Sequence, residues 1–254
     1  PFSLTAGGAV YDGDDIAPTV EISRDRTLAI GDAGSEVFLR IGSGSGGVSV
    51  AAEPANTGSA FVSAAAVADP ALADGGSYRV SFSAGSYAVT DAGGAVVATG
   101  SYRAGESIRF RGLSLKVEGT PADGDALQIG PSRQQDVFRT LGQLADWLET
   151  PQQGSASARA QVQTGLYEGL SSLSTAQDHL IDLRAQLGSR LATAEAANTQ
   201  LSAQSLSIET TLSGVRDIDY AEATGRLSQQ LLGLQAAQQS FLKIQGLSLF
   251  NYLR

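Results

Sequence analysis

The chain contains no cysteine and no methionine, and it has a single histidine, His179, and a single tryptophan, Trp147. Without cysteine there can be no disulfide framework and no thiolate metal site. One histidine, with no nucleophile motif near it, leaves little for general acid–base work, so an enzyme is not expected. Charge is sparse too: Asp, Glu, Lys and Arg make up 17% of the residues, against about 25% in an ordinary domain. The balance is negative, −9 in all. No basic stripe interrupts it, which argues against nucleic acid as a partner. No run of roughly 18 apolar residues occurs, so no membrane partner is expected. The opening residues carry no signal-peptide pattern. No cofactor and no metal are expected.

What is present changes character near residue 130. Residues 1–130 read as β, with short alternating runs punctuated by Gly, Ser and Asp. "TVEIS" (Thr19–Ser23) places Val20 and Ile22 on one face, and "YRVSF" (Tyr78–Phe82) does the same for Tyr78, Val80 and Phe82. "YAVT", "AVVAT", "SIRF" and "LSLKVEG" follow at hairpin spacing, with turns at "DAGG" (Asp91–Gly94) and "RAGE" (Arg103–Glu106). The expectation is a β-rich outer domain over 1–130.

Two stretches there invite a ligand and do not earn one. "GSGSGG" (Gly42–Gly47) lacks the Gly-Lys-Ser/Thr ending of a phosphate loop and no helix pattern follows, so a flexible surface loop is expected. "YDGDD" (Tyr11–Asp15) lacks the twelve-residue spacing and closing Glu of a calcium loop, and reads as a solvated acidic turn. The carboxylate pairs Asp14–Asp15 and Asp123–Asp125 also fall in loop signals.

From residue 131 the period becomes helical. Pro131 and Ser132 read as a start and Pro151 as a stop, with Phe138, Leu141, Leu144 and Leu148 at helical spacing between them. Then Leu166, Leu173, Leu180, Leu187, Ala194, Leu201, Ile208 and Val215 recur every seven residues without a miss. The companion positions Leu170, Gln177, Arg184, Leu191, Asn198, Ser205 and Leu212 are half polar, so the coiled-coil seam is narrow. His179 is expected at the surface, flanking it. A helical rod domain over 131–215 is expected, with helices about 132–149 and 155–215. The second would be about 90 Å long at 1.5 Å per residue.

A helix of that length needs a partner of similar length to cover its stripe. The 132–149 segment could cover about a third. The remainder is expected from another chain or from helices preceding Pro1, so the sequence is expected to be a fragment.

At "VRDIDYAEA" (Val215–Ala223) the heptad slips, and the next apolar series is Tyr220, Leu227, Leu234 and Phe241. Leu227–Leu242 carries no charge at all. Leu231, Leu232, Ala236, Leu242 and Ile244 are read as decorating other faces. A helix apolar on several faces is a buried helix, so residues 216–254 are expected to form a C-terminal helix buried in an assembly. The candidate interface is Leu227, Leu231, Leu234, Phe241, Ile244, Leu247, Leu249 and Phe250. Of these, Leu227, Leu231, Leu234 and Phe241 are expected to be exposed or disordered in a lone copy. In fold class the chain reads as α+β in two parts: a compact all-β domain inserted before a long antiparallel helical, coiled-coil domain, with a C-terminal assembly helix.

Three stretches resemble the flagellin superfamily of bacterial axial proteins. "DIDYAEATGRLSQQLLGLQAAQQSF" (Asp217–Phe241) resembles its carboxy-terminal pattern, an acidic pair and Tyr, then Ala-Glu, then a Leu- and Gln-rich helix. "VEGTPADGDALQIGPSRQQDVFRTL" (Val117–Leu141) is similar to the segment returning from the β domain to the helices in hook-associated members. "VYDGDDIAPTVEIS" (Val10–Ser23), "GSEVF" (Gly34–Phe38) and the ending "IQGLSLFNYL" resemble the junction members among them. The resemblance implies a structural component of the bacterial flagellum, a junction between hook and filament. It implies export by the flagellar type III apparatus, and the partners would be copies of itself in a ring, the hook-side junction protein, flagellin and an export chaperone. The tail would join an inner tube around the central channel, alongside an amino-terminal helix. The rival readings are filament flagellin and, in a different class, a secreted adhesin or fibre protein with a coiled-coil stalk. The uncharged, register-shifted tail fits the adhesin poorly.

Overall fold

The computed structural model describes residues 2–5, 8–23, 25–150, 154–216 and 219–246. Two compact units divide the chain, Pro1–Ala194 and Glu195–Arg254.

The first unit opens with two hairpins, β1 (Phe2–Thr5) with β2 (Gly8–Tyr11) and β3 (Thr19–Ser23) with β4 (Arg26–Ala29). A short helix, α1 (Gly34–Phe38), and β5 (Ile41–Gly42) follow. Eight further strands come next: β6 (Val48–Ala52), β7 (Phe61–Val67), β8 (Tyr78–Ser83), β9 (Ser86–Asp91), β10 (Val96–Ser101), β11 (Ser107–Phe110), β12 (Leu113–Glu118) and β13 (Ala126–Pro131). They form two antiparallel sheets, ordered β10-β9-β8-β13-β6 and β11-β12-β7. The sheets meet edge to edge on both sides, β6 beside β7 and β10 beside β11.

Both sheets close over one core. The period-2 pattern turns Tyr78, Val80 and Phe82 of β8 inward against Val62 of β7, Leu115 and Val117 of β12 and Leu127 of β13. Arg79, between them, faces out and pairs with Glu53. The β8–β9 hairpin turns at Ala84 and Gly85, both with positive φ (50° and 71°), as a two-residue turn matched to strand twist requires. Ala84 tolerates this backbone while its N–H donates to Asp123 Oδ1 at 2.6 Å. Asp125, buried, accepts backbone N–H bonds from Thr57 (2.8 Å), Gly58 (3.0 Å) and Ala122 (2.8 Å), pinning the loop before β7 to the loop before β13.

The first long helix, α2 (Val137–Glu149), starts five residues later than the Pro131–Ser132 signal suggests. Pro131 is still in β13, and Gln134–Gln135 pair with β5 as a short strand, β14. The helix begins only at Asp136, whose carboxylate accepts the Arg139 N–H at 2.6 Å, an N-cap satisfying one of the free donors. Phe138 of α2 joins Phe2, Tyr11 and Phe38 in an aromatic cluster, ring centroids 5.0–6.2 Å apart, that ties the first hairpin and α1 to this helix.

α3 (Ala156–Arg216) runs from the first unit into the second. The second unit holds its last turns and α4 (Tyr220–Gly246), and α4 buries none of its residues. Asp219 caps α4 by accepting the Ala221 N–H at 2.9 Å, so the slip in the heptad coincides with a new helix start. The architecture is α+β: a β-rich part followed by antiparallel helices and a long C-terminal helical region.

Candidate assembly surface and the helix–sheet joint

α3 presents two working faces in the first unit, and neither is made of the leucines that dominate its sequence. The first face meets the sheets. β6 and β7 are edge strands of separate sheets, and side chains of α3 supply partners to their backbone groups. Thr164 Oγ1 accepts from Val62 N–H at 3.2 Å. Tyr167 Oη accepts from Ala65 N–H at 2.6 Å and donates to Ala65 O at 3.2 Å. Glu168 Oε2 accepts from Val50 N–H at 3.0 Å. Helical hydroxyls and one carboxylate thus do for β6 and β7 what a neighbouring strand would do.

The expected flexible loop Gly42–Gly47 is corrected by this face. Ser43 and Gly44 are buried, Gly44 N–H donates to Ser172 Oγ at 2.7 Å, and Thr175 Oγ1 donates to Gly44 O at 2.9 Å. Gly44 adopts φ 62°, and a Cβ there would lie 2.2 Å from Val48 O, so the glycine is required by close packing.

The second face meets α2. Gly165 and Gly169, four residues apart, admit Trp147 and Leu144 of α2: a Cβ would lie 2.2 Å from the Trp147 ring and 2.5 Å from Leu144 Cδ2. Later residues of α2 meet earlier residues of α3, so the two helices are antiparallel. At about 100° per residue, Leu180, Leu187, Ala194 and Leu201 fall within the same arc of roughly 60° as Gly165 and Gly169. The α2-facing line therefore continues along α3 as an apolar row.

The eight heptad positions together grow barer toward the C-terminal end of α3, Ala194 excepted. Leu166, Leu173 and Ala194 are half-buried, Leu180 is 37% exposed, Leu187, Leu201 and Ile208 more so, and Val215 reaches 79%. A strict seven-residue repeat drifts about 20° per turn pair on a straight helix, so a partner following all eight positions must wrap left-handedly. On α4, Leu227, Leu231, Leu234, Phe241 and Ile244 are all exposed. Tyr220, Leu227, Leu231, Leu234, Phe241 and Leu242 share an arc of about 100°, so Leu231 and Leu242 sit with the main stripe rather than on other faces. Leu232, Ala236 and Ile244 lie outside it. Leu247, Leu249 and Phe250 lie outside the described residues.

The remaining candidates have local partners. His179 donates from Nε2 to the Glu36 carbonyl at 3.0 Å, and Arg190 pairs with Asp32, together tying α3 to the segment around α1. Asp12, Asp14 and Asp15 are exposed, Asp15 receives the Ser35 hydroxyl, and among the described residues no group of three metal-ligating side chains forms. Among them, too, no helix is long and apolar enough to cross a membrane.

Among the described residues Glu168 is the most perturbed carboxyl. Burial pushes its pKa up to about 7, only partly opposed by the Val50 N–H bond. It lines a cavity of about 290 Å³ with Gln143, Trp147, Gln161, Thr164 and Ser172. Among the described residues the lining supplies no histidine, cysteine or second carboxylate to pair with it.

A β-rich part followed by antiparallel helices and a C-terminal helix with a bare apolar stripe, charge-free from Leu227 to Leu242, is the make-up of an axial structural protein of flagellin type. Residues 170–253 match the family model of the bacterial flagellin C-terminal helical region. Residues 51–131 match that of the D2-like domain of flagellar hook-associated protein 1. No curated relative matches the chain. Among solved structures, the chain is similar to FlgL of Xanthomonas campestris at 34% identity and a TM-score of 0.75, over 84% of this chain and 70% of that one. It is similar to the flagellar junction protein FlgL of Legionella pneumophila at 27% identity and a TM-score of 0.75, over 83% and 69% of the two chains. A flagellar hook-associated protein-3 structure from Legionella pneumophila gives 27% identity and a TM-score of 0.78, over 86% and 71%. The chain belongs to the FlgL family of flagellar junction proteins. Its place is the bacterial flagellum, and its role is structural, at the junction between hook and filament.

Proposed function

We propose that the protein works as an adaptor ring between hook and filament, with the three parts of the chain dividing the labour. Residues 1–130 form the outward β domain, 131–215 the rod, and 216–254 the helix of an inner tube around the central channel. The observation that carries this reading is α4: it is 27 residues long, buries none of them, and exposes a continuous apolar stripe. Such a stripe costs free energy in water and is stabilised by burial against like helices.

In this reading Leu227, Leu231, Leu234, Phe241, Ile244, Leu247, Leu249 and Phe250 form the assembly interface, and Leu166 through Val215 form the coiled-coil seam. Copies of the chain would meet one another in a ring, the hook-side junction protein on one side and flagellin on the other. The chain would reach its place through the flagellar type III apparatus, kept from premature association by an export chaperone covering the same apolar tail. The protein would be structural, with no catalytic step.

A strain lacking the protein should build hooks and shed flagellin into the medium unpolymerised. Normal filaments in that strain would refute the junction role. A Leu227→Asp, Leu234→Asp double substitution should reproduce the loss while leaving the β domain folded.

A further inference from the structure

The cavity between α2, α3 and β6 is not used by the assembly reading, and its lining is selective. Its volume is about 290 Å³. Glu168 Oε2 is engaged by Val50 N–H, whereas Oε1 has no hydrogen-bond partner among the described residues. Trp147 forms one wall, held against Gly165. The Gln135, Gln143 and Gln161 amides and the Thr164 and Ser172 hydroxyls add neutral polar groups, with Val50, Ala51, Ala52 and Pro54 from the β6 side.

Among the described residues no lysine or arginine lines this cavity. Glu53, next to Pro54, is already engaged by Arg79 and Gln128. Arg133 and Arg139 line an adjoining hollow that Glu168 also borders, and neither forms an ion pair with it. The cavity therefore offers one carboxylate oxygen without a donor, an aromatic wall and neutral polar groups. A half-buried carboxylate without a counter-ion is costly, and a cation with N–H donors relieves that cost. An aromatic ring beside it favours a cation over a neutral donor.

We propose that this cavity is a binding site for a small organic cation bearing a primary ammonium or guanidinium group, with Glu168 as the anionic partner and Trp147 as the wall along which its carbon chain lies. Binding needs the ionised carboxyl, and the Glu168 pKa of about 7 ties occupancy to pH. Above that value the site is charged and binds; below it the proton takes the place of the ligand. Among the described residues no other titratable group lines the cavity.

Trp147 is the single tryptophan of the chain, so its fluorescence reports on this cavity alone. The purified protein is titrated at pH 8 and constant ionic strength with n-butylammonium, methylguanidinium and, as a cation without N–H donors, tetramethylammonium. A saturable fluorescence change is expected with the first two, weaker by roughly tenfold or more at pH 5.5 and in Glu168→Gln. Circular dichroism of the variant checks that it folds, and calorimetry of the same titrations checks the optical signal. An absence of saturation with both N–H cations overturns the proposal. Equal affinity in Glu168→Gln, or tetramethylammonium binding as well as n-butylammonium, overturns it too.

Discussion

Leu115 and Leu234 are the same residue in opposite surroundings. Leu115 is 1% exposed in the β core, where side chains from both sheets enclose it; Leu234 is 56% exposed on α4, in a unit that buries no residue of that helix. The first unit closes a core of its own: the side chains between its two sheets are covered, although Leu148, Ile181 and Leu187 on its helices stay exposed, and the loose edges of β6 and β7 find partners on α3. The second unit keeps its apolar surface uncovered. Hydrophobic content alone does not distinguish a finished core from an unfinished interface. The distinction lies in whether other parts of the same chain can reach the residue.

The contrast can be broken or sharpened by substitution. The largest effect is expected from Leu115→Ala, which leaves a cavity in a closed core and should lower the stability of the β domain by about 2–5 kcal/mol in denaturant unfolding. Asp125→Ala should follow at roughly 2–3 kcal/mol, since it strands three backbone N–H groups that now share one carboxylate.

Glu168→Gln should act in the other direction, and only at higher pH. The folded-state pKa of Glu168 is raised from 4.5 to about 7, so the folded form holds its proton more tightly than the unfolded form. Its stabilising contribution is full below about pH 4.5, falls as pH rises through about 7, and is flat beyond. Glutamine keeps a carbonyl for the Val50 N–H and carries no charge. The variant should lose that pH dependence and gain about 1–3 kcal/mol over the native protein at pH 8, allowing for solvent access to the carboxyl. Thermal unfolding from pH 5 to pH 8 measures it.

The smallest stability change is expected from Leu234→Ala. In an isolated chain it should fall within about 0.5 kcal/mol of native, because nothing covers the residue. The same variant should polymerise poorly on hooks, and a stability loss as large as that of Leu115→Ala would erase the distinction between the two units.

Much of the β domain was readable from alternation. "TVEIS" and "SIRF" are β3 and β11 to the residue, and Tyr78, Val80 and Phe82 point inward together. Other features were not readable. Thr164, Tyr167, Glu168, Ser172 and Thr175 carry the helix–sheet joint, yet they are polar residues on a helix whose leucines draw attention. Their common helical face was the available signal, but it acquires meaning only when two strand edges lie opposite. Gly165 and Gly169 likewise look like two residues among many small ones until α2 packs against them. "GSGSGG" has the composition of a mobile linker and is instead held by Ser172 and Thr175.

Local order was written into the chain itself: strand alternation, the seven-residue repeat, the cap at Asp219 and the charge-free run after Leu227 depend on near neighbours and on the periods of helix and strand. Which polar side chains would be buried, where Glu168 would come to face a cavity, and which leucines would stay uncovered depended on residues a hundred or more positions apart. Those outcomes belong to the tertiary structure, because a hydrogen bond or a buried surface exists only once both of its sides have been brought together.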